Sequence, residues 1–357
     1  MIKILYIILN GPEYGGSEKH VVDIINNLPN NYDVSLIMSK NNKMINYINR
    51  TKCKKVYQID RNKISAILQI KKIIINERPN IVHSHAARGN LYARIAAKKF
   101  VLSNKLKLIC TAHGWVLPYL KFRKIKEKLF MYGKNLDYMT LAVSKFSMEE
   151  MINHGFDRKK MKYIYNGINV NYYNKKAKIK KNVSTLSYIG RFTNQKGIDY
   201  LLEALLYFKE SNLTFNFYGK GEKEETIKNF IKENNLNNVF INGFIESNKV
   251  IDVLSKTDVL LLPSIDEGFP YILVEAVSAG VPCIASNVGG VSEIINNNNG
   301  RLIKSKNVNQ IVEAINSLDE SNIKLYSKQC IKDSIKFDIS VMISELENIY
   351  KGALKNE

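Results

Sequence analysis

Two glutamates, Glu267 and Glu275, flank a proline in the stretch PSIDEGFPYILVEAVSAGVPCIAS at positions 263–286. Eight positions at about 1.5 Å each would set them about 12 Å apart along a helix. Paired carboxylates that attack one glycosidic bond sit closer, about 5 Å apart in retaining and about 6.5 to 9.5 Å in inverting hydrolases. The two suit instead the ends of a long ligand whose charged middle rests on a helix N-terminus. Such an end offers free N–H groups and partial positive charge to a phosphate or to sugar hydroxyls. A nucleotide diphosphate sugar has that shape. Taken singly, Glu267 also fits a solvated loop and Glu275 an ordinary helix position.

A second constellation is the loop GRFTNQKG at 190–197, which sets Arg191 and Lys196 between glycines. Arginine forks onto phosphate oxygens and lysine adds a mobile point charge, each bond contributing about 1.5 to 3 kcal/mol. The loop therefore suits a leaving diphosphate. No D-x-D pair occurs anywhere in the chain, so a carboxylate-held Mg²⁺ is not evident. Cationic side chains and helix-end amides would neutralise the leaving group instead, and neither metal nor other cofactor is expected. Histidines form a third group: His83 and His85, and His113 followed by Gly114. No carboxylate or cysteine completes a metal site around the first two. A neutral His113 could hydrogen-bond a sugar or a departing phosphate oxygen, and equally fits a partly buried structural histidine.

The elements that position these residues alternate. The apolar run 258–262 stops at Pro263; Pro270 opens a helix and Gly280 closes it, since proline suits a first turn and glycine the left-handed end. In the first half, strands are expected at 2–9, 34–38, 56–59, 81–85, 106–111 and 139–143. Helices are expected at 17–28, 63–76, 90–99 and 125–132, and from the capping-box pair Ser147 and Glu150. The loop NGPEYGGSEKH brings Gly15 and Gly16 to the end of the first strand, where a glycine backbone can approach a ligand. The second half repeats the scheme: strand 186–189, the Arg191 loop, helix 198–208, strand 215–218, the loop GKGE with Gly219, a helix to about 233, strand 239–242 and a helix near 249–254. Alternation of this kind argues for parallel sheets covered on both faces. The fold class read here is α/β, two Rossmann-like domains facing across a cleft, with the boundary in the lysine-rich connector near Asn166.

With 357 residues there is room for two cores. No apolar run approaches a membrane span, and the short apolar start lacks a cleavage site, so it reads as a buried strand of a cytoplasmic protein. Four cysteines without C-x-x-C spacing fit a reducing compartment. The net charge of +20 is unevenly placed: residues 1–174 hold 30 Lys and Arg against 11 Asp and Glu, net +19, and residues 175–357 hold 23 against 22, net +1. The excess belongs to the first domain's partner. The segment 117–130 mixes Leu120, Phe122, Ile125, Leu129 and Phe130 with five basic residues and resembles a membrane-surface helix; the alternative is a solvated helix packing its apolar stripe on the core. Nucleic acid is not expected as a partner, because no aromatic and basic interleaving at RNA-module spacing occurs.

Together these residues resemble the retaining nucleotide-sugar glycosyltransferases of family four, which have the GT-B fold. The likeness rests on Gly15-Gly16-Ser17-Glu18, His113-Gly114, Asn166-Gly167-Ile168, GRFTNQKGIDYLLEA at 190–204, Gly219-x-Gly221, the Glu267 to Glu275 motif, and Gly289-Gly290 with Glu293. It implies that Arg191 and Lys196 bind the donor diphosphate and that Glu275 holds the ribose. Glu267, with backbone of Gly268, Phe269 and Pro270, would contact the transferred sugar, and His113 would sit over the reaction centre. Gly16, beside Gly15, would close near the phosphates, Gly219 would belong to the donor site, and residues around Phe244 and Ile245 would pack on the base. It further implies an N-terminal acceptor domain at 1–170, a donor domain at 171–340 and a helix at 341–357 crossing back. The expected enzyme uses a nucleotide-sugar donor, UDP-sugar favoured, and a lipid-linked or polysaccharide acceptor on an anionic membrane's inner face. Rivals are a phosphorylase or sugar-nucleotide epimerase on the same scaffold, and a non-catalytic polyanion-binding protein.

Overall fold

The computed structural model describes residues 1–62, 65–115 and 122–355. The chain divides into two compact units, Met1–Gly167 with Ile339–Glu357, and Ile168–Asp338. The first carries strands β1 (Ile2–Ile8), β2 (Tyr32–Ser39), β3 (Cys53–Ile59), β4 (Ile81–His85), β5 (Lys107–Ala112), β6 (Met139–Ala142) and β7 (Met161–Tyr163). They form one parallel sheet in the order β3-β2-β1-β4-β5-β6-β7. Helices α1 (Gly16–Asn27), α2 (Ser65–Glu77), α3 (Ala86–Leu102), α4 (Arg123–Met131) and α5 (Lys145–Asn153) follow β1, β3, β4, β5 and β6.

A parallel sheet buries both faces, which is why its strands are nearly continuous apolar runs. In β1, Ile4, Tyr6 and Ile8 point to one core with α1, while Leu5 and Ile7 point to another with α2 and α3, the two-residue alternation of a pleated strand. The first of these cores is completed by residues 339–355. They form a single helix whose Met342, Ile343, Leu346, Ile349 and Tyr350 are buried in it.

The second unit has β8 (Thr185–Ile189), β9 (Thr214–Tyr218), β10 (Val239–Gly243), β11 (Val259–Leu262), β12 (Cys283–Ser286) and β13 (Gly300–Ile303), in the order β10-β9-β8-β11-β12-β13 and all parallel. Its helices are α6 (Val170–Asn174), α7 (Ile198–Leu205), α8 (Glu224–Glu233), α9 (Val250–Lys256), α10 (Tyr271–Ser278), α11 (Val308–Asn316) and α12 (Glu320–Ser334); the C-terminal helix of the first unit is α13 (Ile339–Lys355). Both orders place β1 beside β4 and β8 beside β11 at the point where the winding reverses, and open α/β sheets bind ligands at the carboxyl ends of such strands.

Local boundaries differ from the sequence reading at a few places. Helix α5 begins at Lys145, because Ser144 is extended and its Oγ accepts the Ser147 N–H at 3.0 Å; Ser147 is inside the helix, not its cap. Residues 206–208 tighten into a 3₁₀ turn and leave α7. Helices α6, α11 and α12 and strand β13 are not expected from the sequence: α6 forms inside the stretch read as a connector, with Asn169 as its cap, and β13 is a four-residue edge strand, half-buried at its centre, behind an asparagine run.

Candidate active site

At the carboxyl edge of the first sheet, Gly15 ends the loop that leaves β1 and caps α1. Its φ of −129° is open to any residue, so torsion does not require glycine here. A Cβ at Gly15 would meet only Glu18 Oε2, at 3.4 Å. The loop is fixed from within: buried Glu18 accepts the Gly15 N–H at 3.2 Å, Asn10 Nδ2 at 2.8 Å and Ser17 Oγ at 3.0 Å. This carboxylate is consumed in shaping the glycine turn and is not offered to a ligand.

Beside that turn four of the five histidines converge. His85 ends β4 and His113 follows β5, and β1, β4 and β5 are neighbours in the sheet. Ring centroids are 4.3 Å apart for His83 and His85, 5.7 Å for His85 and His113, and 5.0 Å for His20 and His113. His20, from α1, bonds through Nδ1 to Asn166 Oδ1 at 2.9 Å. An amide oxygen only accepts, so Nδ1 carries the proton and Nε2 is left as an acceptor. His83 is held on both nitrogens, by Tyr350 Oη at 2.7 Å and Thr111 Oγ1 at 2.8 Å, and Tyr350 in turn meets Tyr6 Oη at 2.8 Å. Neither nitrogen of His85, nor Nε2 of His113, has a partner among the described residues.

Burial keeps this cluster uncharged. Desolvation pushes His20 down to about 4, offset in part by its Asn166 bond. Desolvation also holds His83, His85 and His113 well below the ordinary histidine range, with mutual repulsion a lesser cause. Neutral imidazoles donate and accept hydrogen bonds but cannot balance a phosphate. Among the described residues no group of three or more His, Cys, Asp or Glu has metal-holding geometry.

In the second unit, the loops after β8 and β11 are tied together. Lys196 Nζ meets Glu267 Oε1 at 2.5 Å, Ser264 Oγ donates to the same oxygen at 2.7 Å, and the Ile265 N–H reaches the Gln195 carbonyl at 2.8 Å. Backbones approach so closely that only glycine fits. A Cβ on Gly197, where φ is +67°, would lie 2.0 Å from the Pro263 carbonyl oxygen, and one on Gly289, at φ +54°, 1.7 Å from that of Glu267. Arg191 is exposed, with no carboxylate partner among the described residues. The neighbouring Gly219 turn, after β9, packs on Gly190, whose carbonyl oxygen a Cβ there would meet at 1.9 Å.

Pro270, at φ −74°, caps α10, and Gly280, at φ +71°, follows its end. Glu275 lies within this helix, buried, and Phe269 is buried against Phe337. Gly268 accepts the Gly290 N–H at 3.0 Å. Phe244 is exposed and Ile245 half-buried just after β10. The donor-side residues singled out in the sequence thus lie after β8, β9, β10 and β11 of one sheet, and Gly15, Gly16 and His113 after β1 and β5 of the other. Sequence reasoning passed over His20, Ser264, Tyr6 and Tyr350. The available signals were a histidine on the apolar face of α1 and, for Tyr6, a lone tyrosine in an otherwise aliphatic run.

Two family models match nearly end to end: "Glycosyltransferase Family 4" over residues 14–172 and "Glycosyl transferases group 1" over 171–337. The chain belongs to glycosyltransferase family four. Among curated relatives, an Escherichia coli UDP-Gal:α-D-GlcNAc-diphosphoundecaprenol α-1,3-galactosyltransferase is 26% identical, the match spanning 100% of this chain and 98% of its own. The Staphylococcus aureus capsular polysaccharide biosynthesis glycosyltransferase CapH is 28% identical over 83% of each. Anabaena HepE, solved in complex with UDP, superposes with a TM-score of 0.84 at 17% identity, covering 98% of this chain and 100% of that one. The shared architecture is GT-B.

Residues 117–121, the first part of the expected membrane-surface segment, lie outside the described residues. The rest forms α4, whose Phe122, Ile125 and Leu129 are 64%, 57% and 48% exposed, with exposed Tyr132 just beyond its end. Among the described residues of this segment Phe130 turns inward, onto Trp115 at 5.0 Å, and Met131 packs on the same cluster. The apolar stripe therefore does not pack on the core. Arg94, fully buried, anchors the helix by donating from Nη1 to the Phe130 carbonyl at 2.6 Å while forking onto Asp137 at 3.0 and 2.6 Å. No helix among the described residues is long and apolar enough to cross a membrane.

Proposed function

We propose that this protein is a retaining, metal-independent hexosyltransferase that moves a sugar from a UDP-sugar to a lipid-linked or polysaccharide acceptor in cell-envelope glycan synthesis. Support comes first from the joined loops after β8 and β11, where Lys196 and Glu267 form one pair beside the free Arg191. Arg191 and the N-terminus of α10 supply positive charge for the diphosphate. Lys196 fixes Glu267 against the transferred sugar and shares its charge with the leaving phosphate, and Glu275 takes the ribose hydroxyls. The names of the Escherichia coli and Anabaena proteins favour uridine and a lipid diphosphate acceptor. His113, held neutral, hydrogen-bonds a sugar hydroxyl without competing for the diphosphate.

The acceptor reading brings with it a place of work, the cytoplasmic face of an anionic membrane. What supports this is α4, with its outward Phe122, Ile125 and Leu129 and the exposed Lys124, Lys126 and Lys128. Each basic residue near such a surface contributes on the order of 1 kcal/mol.

Thermal-shift measurements with UDP-, GDP- and ADP-sugars in EDTA test the donor. A rise with the UDP-sugar alone is expected, and no rise without added Mg²⁺ would reject metal independence. Arg191→Ala, Lys196→Ala and Glu275→Ala should each abolish turnover in a folded protein; full activity in all three rejects the site. Proton NMR of the product's anomeric centre tests retention. Sedimentation with phosphatidylglycerol vesicles should show salt-sensitive binding, and its absence removes the membrane part.

A further inference from the structure

The carboxyl edge of the first sheet continues past the glycine turn to β2 and β3, where an open concavity of about 250 Å³ is lined by Ser39, Lys40, Asp60, Arg61 and Asn62 among others. Ser39 is the last residue of β2, 2% exposed, and its Oγ has no hydrogen-bond partner among the described residues. A sealed hydroxyl without a partner is a cost that proteins seldom leave uncompensated. Lys40 and Arg61 have no carboxylate within ion-pair distance among the described residues, whereas the nearby Lys43 and Lys55 are paired with Glu13 and Glu77. The framework around them is built. The Lys40 N–H bonds the Ile59 carbonyl at 2.9 Å, locking the two strand ends together. Asp60 Oδ1 accepts the Asn62 N–H at 3.1 Å and so shapes the turn that presents Arg61. Arg88 donates to Asn62 Oδ1 at 3.2 Å, adding a third cation behind that turn. Arg61 Nη1 would stand 3.7 Å from a Cβ on Gly11, which places the guanidinium over the backbone of the loop leaving β1.

Around one concavity an ammonium and a guanidinium outnumber the single Asp60 carboxylate, which is turned onto the Asn62 N–H, and with the Ser39 hydroxyl they supply donors and net positive charge, a combination that selects an oxyanion. The geometry points to a subsite for a phosphate or carboxylate group of the acceptor, formed by Ser39, Lys40 and Arg61. The inference rests on the reading that the first unit takes the acceptor, and it names a part of that acceptor. Strand β3 lies two strand spacings, about 10 Å, from β1, so the anion is carried by a portion of the acceptor away from the hydroxyl that receives the sugar. Two sources share this chemistry, the diphosphate of a lipid carrier and the carboxylate of an acidic sugar.

The test is calorimetric titration of the full chain at saturating UDP, which occupies the diphosphate site of the second unit. Inorganic pyrophosphate is titrated in one arm and glucuronate in the other. Binding of at least one is expected, weakened about tenfold by Arg61→Ala or Lys40→Ala and less by Ser39→Ala. Lys105→Ala, an exposed charge at the opposite edge of the sheet, should change nothing. Preference for pyrophosphate identifies the lipid diphosphate as the source, and preference for glucuronate the acidic sugar. No binding in either arm, or binding indifferent to Arg61, overturns the subsite. UDP affinity, read in a first titration that brings each sample to saturation, separates this from the wider reading: its absence in the unsubstituted protein counts against glycosyl transfer from a UDP-sugar, and its persistence in the variants shows that they are folded.

Discussion

At the carboxyl edge of the first sheet the side chains that converge are four neutral imidazoles, three of them buried and His113 half-buried, whereas at the same edge of the second they are an ammonium, a carboxylate and an exposed guanidinium. The overall charges run the other way, +19 for residues 1–174 and +1 for the rest. Local chemistry is thus not the local average. The basic half keeps its surplus off its own histidine cluster, on α4 and around Arg61, and the balanced half concentrates a few charges in the joined loops after β8 and β11. A neutral pocket suits recognition of hydroxyls; a charged one suits an anion that must be held and then released.

That contrast can be broken in four places, taken here from the largest effect down. In the first unit, Arg94→Ala strands Asp137, which is 0% exposed in its side chain. Loss of one partner of such a pair costs about 3 to 5 kcal/mol, to be read from urea unfolding; a loss under about 1 kcal/mol would mean that the pair is not structural. In the second unit, Gly289→Ala forces the Glu267 backbone to move, since its Cβ would fall 1.7 Å from that carbonyl oxygen. A displacement near 1 Å costs about a hundredfold in rate, measurable as kcat/KM with the UDP-sugar, and unchanged kcat/KM would detach Glu267 from sugar transfer. Tyr350→Phe leaves His83 Nδ1 without its partner and should cost about 1 to 3 kcal/mol of stability, again by urea unfolding, with UDP affinity untouched.

The smallest effect per step is on pH. The folded pKa of His20, about 4, lies below its unfolded value near 6.5, so between these limits the unfolded chain holds a proton that the folded chain does not. Stability is complete above about pH 6.5 and falls as pH drops toward 4, by at most about 1.4 kcal/mol per pH unit for each such imidazole. Urea midpoints at pH 7 and pH 5 check the slope, and His20→Gln should flatten it; equal slopes would place the pH sensitivity elsewhere.

Much of this was legible in the sequence, for physical reasons. Buried parallel strands must be apolar, so β1, β4 and β11 declared themselves. The glycines at 197 and 289 stand in turns where backbones touch. The proline before α10 and the glycine after it mark its ends. What stayed hidden were long-range meetings: Tyr6 with Tyr350 lies 344 positions apart, and no local pattern encodes that encounter. Edge strand β13 carries too little apolar surface to stand out. Lys196 and Glu267 were each read as ligand contacts, and their pairing with one another follows only from the adjacency of β8 and β11.

Helix α13 belongs to the core that β1 begins, with the whole of Ile168–Asp338 intervening along the chain. During synthesis, which proceeds from the amino end and lets domains form as they emerge, the later unit is contiguous and can assemble while the earlier one still lacks a wall. The half translated first is the half finished last. Until residues 339–355 arrive, the apolar surface of α1 and the hydroxyl of Tyr6 have no cover, and a nascent-chain chaperone would find its footing there.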